Sequence, residues 1–200
     1  MKLLIIRHAI AMERADFHGH TQASEQATGQ MGEKRSVKAS GAKTNEETDD
    51  GKNDEHRPLT PEGMRKMRKN AQGLRELVGR PDLLITSPLT RAVQTASILR
   101  EMWLDLDVAS SDLLKPGASP EALTDWINTR AFAHENDALI AIVGHEPHLS
   151  SLASWYLSGH RKSLFELKKG GACLLSFSSD VNRAKAKLEW LVTPGVLRKL

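Results

Sequence analysis

The chain holds a single cysteine, Cys173, so neither an internal disulfide framework nor an all-cysteine zinc site can form. Aromatic residues make up only 4%, too few for a platform that stacks single-stranded nucleic acid. The longest apolar run, residues 138–143, is six residues long, against the ~20 that a membrane-spanning helix requires. At the N-terminus, Arg7 interrupts Leu3-Leu4-Ile5-Ile6 well short of a signal-peptide core. These shortages lead to the expectation of a soluble, cytoplasmic protein that engages neither nucleic acid nor membrane.

A local shortage is just as informative. Across residues 15–56 the only large apolar side chains are Phe17, Met31 and Val37. Such a stretch cannot bury enough surface to offset the ~1–2 kcal/mol of backbone entropy that each ordered residue loses. The expectation is a disordered insertion at 15–56 within a single domain spanning residues 1–200. The insertion carries nine acids and five bases, whereas the rest of the chain carries 23 bases and 16 acids. That basic surplus suits either a solvated surface or a pocket for an anionic substrate, and the placement of particular arginines decides between them.

Outside the insertion, strand and helix signals alternate. Lys2–Arg7, Leu83–Thr86 and residues 138–143, 173–177 and 187–192 are short apolar runs, several of them apolar on both faces as in a covered parallel sheet. Thr60-Pro61-Glu62 supplies an N-cap, a proline at N1 and a first-turn acid, followed by Met64, Met67, Ala71, Leu74 and Leu77 at helical spacing. Ser87-Pro88 is expected to start a second helix with Ala92, Val93, Ala96, Leu99 and Met102 inward. Ser119-Pro120-Glu121 starts a third, and Pro147 opens a fourth ending near Gly159. This alternation predicts an α/β fold, a three-layer α/β/α sandwich around a mostly parallel central sheet. In such folds ligands gather at the carboxyl ends of the strands.

Those ends carry chemistry. The first strand finishes Ile6-Arg7-His8, the second runs into Ser87-Pro88-Leu89-Thr90-Arg91, and a later one ends Val143-Gly144-His145. Each residue alone has an ordinary alternative. Arg7 could end a strand at the surface, Arg57 could flank the Thr60 cap, and Arg91 could pair with Glu101 or another surface acid. Together they form a specific constellation.

With Leu4-Ile5-Ile6-Arg7-His8-Ala9, Ser87-Pro88-Leu89-Thr90-Arg91-Ala92-Val93-Gln94-Thr95-Ala96 and Val143-Gly144-His145-Glu146-Pro147, the chain resembles the histidine phosphatase superfamily, whose fold is shared with cofactor-dependent phosphoglycerate mutases. Arg57-Pro58-Leu59-Thr60-Pro61-Glu62-Gly63 and the short core make it most similar to the SixA-type phosphohistidine phosphatases. The resemblance implies that His8 is the nucleophile and His145 the second catalytic histidine, with Arg7, Arg57 and Arg91 binding the phosphoryl group. The chemistry agrees. A neutral imidazole can attack phosphorus, guanidinium forks bind phosphoryl oxygens bidentately, and a first-turn Arg91 adds helix-terminal amides. Because strand neighbours point to opposite faces, the chain must leave strand geometry at Arg7-His8 for both to line one pocket.

The resemblance further implies a metal-independent phosphatase without cofactor that forms a covalent phosphohistidine intermediate. Its partner would be a phosphohistidine-bearing signalling protein, such as a phosphotransfer domain. Departures from the pattern matter for the substrate. Many relatives place an acid in the region that reads here Leu113-Leu114-Lys115-Pro116-Gly117, and Glu121 and Glu146 are the candidate proton donors in its place. Imidazole leaves more readily than an alkoxide, so a weak acid favours a P–N substrate. The alternatives are a small-molecule phosphomonoesterase of the same superfamily and a catalytically silent phosphate-binding scaffold.

Other features have plainer readings. His145-Glu146-Pro147-His148 lacks the spacing of a helical zinc motif. His18-Gly19-His20 could hold a metal incidentally. The four tryptophans and Cys173 read as core.

Overall fold

The computed structural model describes residues 1–17, 54–129 and 138–200. Most of the expected insertion, including His18 and His20, therefore lies outside the described residues. Its two ends do not, and they matter below.

Among the described residues the sheet has six strands: β1 (Lys2–Arg7), β2 (Leu83–Thr86), β3 (Val108–Ser110), β4 (Leu139–Gly144), β5 (Ala172–Phe177) and β6 (Ala186–Val192). Their order is β3-β2-β4-β1-β5-β6. The first four in that order pair in parallel, whereas β5 runs antiparallel to both β1 and β6. The strand β3 has no apolar pattern in the sequence, because this three-residue edge is largely exposed.

The alternation of side chains along β1 feeds two cores. Leu3 and Ile5 enter one, packed with Leu123, Ile127 and Leu152, while Leu4 and Ile6 enter the other with Met67, Leu74 and Leu99. Full burial of each such side chain contributes ~1.5–3 kcal/mol, so both faces of β1 are committed to the interior. On one face lie α1 (Pro61–Val78), α2 (Thr90–Met102) and the short α5 (Pro194–Leu197). On the other lie α3 (Pro120–Asn128) and α4 (His148–Ser158), which complete the three layers.

The expected caps form at two helices. Thr60 Oγ1 accepts from the Gly63 amide at 2.9 Å, and Ser119 Oγ accepts from the Ala122 amide at 3.3 Å. The second helix departs from expectation: it begins at Thr90 with Leu89 at its N-cap and no side-chain cap. Ser87 and Pro88 form the preceding loop, and the Ser87 hydroxyl is used elsewhere. Val93 and Leu77 are 38% and 39% exposed, since the buried stripes of their helices run through neighbouring positions.

Candidate active site

Adjacent parallel strands bring the two histidines together. Arg7 on β1 and Gly144 on β4 are register partners, and the His8 amide continues the ladder by donating to the Gly144 carbonyl at 3.0 Å. Each histidine follows its strand by one residue, which leaves the rings 5.1 Å apart between centroids. The regular strand ends at Arg7. Beyond it the Gly170 amide donates to the carbonyls of both Arg7 and His8, at 3.2 and 3.1 Å. Gly170 has φ +79°, a conformation that a side chain would strain. Arg7 and His8 thereby line the same cavity of about 610 Å³, together with Asp54, Arg57, Arg91, His145 and Glu146.

Two loops are tied to α2 by the middle of its sequence string. The Ala9 amide donates to Thr95 Oγ1 at 3.1 Å, and that hydroxyl donates to the Arg91 carbonyl at 2.7 Å. Gln94 Oε1 accepts from the Leu59 amide at 2.7 Å. The Thr60 amide bonds the Ile10 carbonyl at 3.0 Å, and a Cβ at Gly63 would lie 2.0 Å from that same oxygen. Glycine is required there for α1 to start against the loop that carries His8. These ties hold Arg57 and Arg91 beside the histidines.

The protonation of His8 follows from its surroundings. Nδ1 lies 2.7 Å from the Ala9 carbonyl, which can only accept, so Nδ1 carries the ring proton and Nε2 keeps its lone pair. Burial, then His145, Arg91 and Arg7, draw the His8 pKa down to about 2 against the pull of the Ala9 carbonyl. Burial and Arg91 lower His145 to about 3. Both rings are neutral at physiological pH. Ser87 Oγ accepts from the Leu89 amide at 3.4 Å and lies 2.8 Å from His145 Nε2. His145 Nδ1 is buried without a hydrogen-bond partner among the described residues.

The arginines are held differently. Arg7 Nη1 donates to the Leu167 carbonyl and to Glu166, while its Nε is buried without a partner. Arg91, only 5% exposed, pairs with Asp54 and not with Glu101, which is engaged by Arg68. Arg57 Nε also meets Asp54, at 3.0 Å. Among the described residues Arg7 Nε, Arg91 Nε and His145 Nδ1 are buried without a hydrogen-bond partner, a costly arrangement for polar groups.

The two candidate proton donors part company. Glu146 lines the cavity, accepts hydrogen bonds from Ser150 and the Leu167 amide, and is pushed above the usual carboxyl range by burial. Glu121 sits outside that lining on the exposed start of α3. Hydrogen bonds from Ser119, its own amide and Arg161 hold it near pKa about 2, so it stays ionised. The expectation for Glu121 is thus corrected: its first-turn position makes it a helix-terminal partner of Arg161.

Asp54 is the site residue that sequence reasoning missed, because it lies in the stretch read as an insertion. Its spacing of three before Arg57 was the available signal. Among the described residues no group of three or more His, Cys, Asp or Glu side chains is placed to hold a metal ion. No described helix is long and apolar enough to cross a membrane.

Paired strand-end histidines among buried arginines form a site suited to a phosphoryl group. A model of the histidine phosphatase superfamily (branch 1) matches residues 42–115, the span holding Arg57 and Arg91. An uncharacterized protein of Picosynechococcus is 30% identical over 186 residues, covering 93% of this chain and 90% of its own. The chain belongs to the histidine phosphatase superfamily and is a phosphatase. Among solved structures, the protein histidine phosphatase SixA complexed with tungstate is similar at TM-score 0.68 and 17% identity, over 98% of this chain and 99% of that one. A mycobacterial glucosyl-3-phosphoglycerate phosphatase is similar at TM-score 0.61 and 16% identity, over 96% and 99%. At these identities the structural likeness establishes the shared fold.

Proposed function

We propose that the protein is a phosphohistidine phosphatase that dephosphorylates a signalling protein in the cytoplasm through a phosphohistidine on His8. The observation that carries the reading is the tautomer that the Ala9 carbonyl selects for His8, which leaves Nε2 unprotonated in a cavity lined also by Arg7, Arg57, Arg91 and His145. Arg7, Arg57, Arg91 and His145 hold the phosphoryl oxygens and stabilise the charge that builds on them. His8 Nε2 forms a bond to phosphorus as the P–N bond of the substrate breaks, and the electron pair leaves on the substrate's ring nitrogen. The Ala9 carbonyl supports the charge gained by the phosphorylated His8 ring through Nδ1–H. Water then attacks phosphorus, the bond to His8 breaks, and inorganic phosphate departs. Glu146 supplies a proton to the leaving group and accepts one from the attacking water. No metal or cofactor takes part.

The absence of an acid between Leu113 and Gly117 supports a phosphorylated histidine as substrate. A second reading, a small-molecule phosphomonoesterase, draws support from Glu146, whose raised pKa suits protonation of an alkoxide. The test is to trap labelled phosphate on the protein, map it, and compare turnover of a phosphohistidine protein with a panel of phosphate esters. Label on His8 and preference for the phosphohistidine protein are expected. Preference for an ester establishes the second reading, and absence of any phosphoenzyme overturns both.

A further inference from the structure

Asp54 stands among three guanidinium groups at the edge of the active-site cavity. Oδ1 accepts from Arg14 Nε at 2.8 Å and from Arg57 Nε at 3.0 Å, while Oδ2 accepts from Arg91 Nη2 at 3.1 Å. The Asp54 carbonyl takes Arg91 Nη1 at 2.7 Å. Arg57, Arg91 and Asp54 have side chains 12%, 6% and 13% exposed, so the cluster is screened only weakly, whereas Arg14 is 72% exposed.

Two arrangements of such a carboxylate are chemically distinct. One stands where the phosphoryl group binds and competes with substrate, and the other holds the arginines from behind and leaves their substrate-facing donors free. The bonding of Arg91 separates them. Each of its terminal nitrogens donates one hydrogen to Asp54 and keeps a second, so the carboxylate does not saturate the guanidinium. Arg7 and His145, on the other elements lining the cavity, bond instead to Glu166, Leu167 and Ser87. A carboxylate at the centre of the phosphoryl pocket would engage those two groups as well.

We infer that Asp54 is a positioning residue, whose carboxylate braces Arg57 and Arg91 and leaves the second hydrogens of the Arg91 terminal nitrogens for the phosphoryl group. Burial alone would raise the Asp54 pKa, but Arg91, Arg14 and Arg57 outweigh it and lower it. Its charge also offsets the mutual repulsion of Arg57 and Arg91. Beside a bound phosphate dianion the same charge weakens ground-state binding. The brace therefore acts chiefly on the geometry of the transition state.

The inference rests on the phosphatase reading, and the experiment separates the two. Wild type, Asp54→Asn and Asp54→Glu are compared for kcat, KM, and the dissociation constants of inorganic phosphate and orthovanadate, with thermal melting as the control for folding. For Asp54→Asn we expect kcat to fall roughly 10- to 100-fold, as for a displaced transition-state donor. KM and phosphate affinity should change less than about threefold, vanadate affinity should fall with kcat, and Asp54→Glu should recover part of the loss. Unchanged kcat, or phosphate binding tightened tenfold or more as kcat rises, would make Asp54 a bystander or a competitor and overturn the inference. If Asp54→Asn does not fold, Asp54→Glu alone decides, by whether vanadate affinity falls more than phosphate affinity. A wild-type protein that binds neither anion and forms no phosphoenzyme refutes the phosphatase reading instead.

Discussion

His8 and His145 face each other with ring centroids 5.1 Å apart and planes tilted by 52°. The cause is the in-register pairing of β1 with β4, in which Arg7 stands opposite Gly144. Neither ring can take a proton cheaply, because each is buried, near the other, and close to Arg91. The pair thus stays uncharged at neutral pH, with the His8 Nε2 lone pair free to react, while the arginines supply the positive charge.

His8→Ala should abolish turnover while leaving the fold intact, since Nε2 of His8 is the nucleophile in the proposed reaction. Steady-state rates and circular dichroism, measured together, check this. Retention of more than a few per cent of activity in a folded variant rules out the covalent route.

Glu146→Gln should lower kcat by roughly 10²-fold on a phosphate ester, the typical worth of a positioned general acid, and by less on phosphohistidine. Glu121→Gln should leave both rates near wild type, because Arg161 holds that carboxylate on the exposed end of α3. A loss in Glu121→Gln with none in Glu146→Gln would reverse the assignment of the proton donor.

Stability should fall as the pH is lowered. The folded-state values of His8 and His145, about 2 and about 3, lie below the ordinary 6.5, so between those limits the unfolded chain binds protons that the folded chain refuses. The stability is fully present above pH ~6.5 and is lost as pH falls from there towards 3, at a cost of roughly 2 kcal/mol per ring by pH 5. Thermal melts from pH 8 to pH 4.5 should show the decline, and His145→Asn should flatten it.

Thr95→Val should destabilise the protein by ~1–3 kcal/mol, because it leaves the Ala9 amide and the Arg91 carbonyl without their shared partner in a buried setting. Denaturant melts measure the loss. Activity should fall as well, since the hydroxyl ties the His8 loop to the helix that carries Arg91. A stable, fully active variant would show that the tie is dispensable.

Much of this architecture is local, and therefore readable from residue order. Leu3 to Ile6 are apolar at every position, which calls for a strand covered on both faces, and Thr60-Pro61 and Ser119-Pro120 mark helix starts through hydrogen bonds that span three residues. The residue types at the strand ends, Arg7-His8, Arg91 and His145, pointed to phosphoryl chemistry. Other features were settled only by contacts distant in sequence. The register of β1 against β4 sets His8 beside His145, and the packing of α2 leaves Val93 in solvent. Glu121 and Glu146 are equally acidic as letters, yet Arg161 holds one ionised at the surface while burial raises the pKa of the other. Asp54, in a polar stretch without periodicity, acquires its role solely from the three arginines that fold around it. Hydrophobic periodicity and capping encode how a segment is shaped, but charge pairing and burial depend on which segments meet, and that is a property of the folded chain.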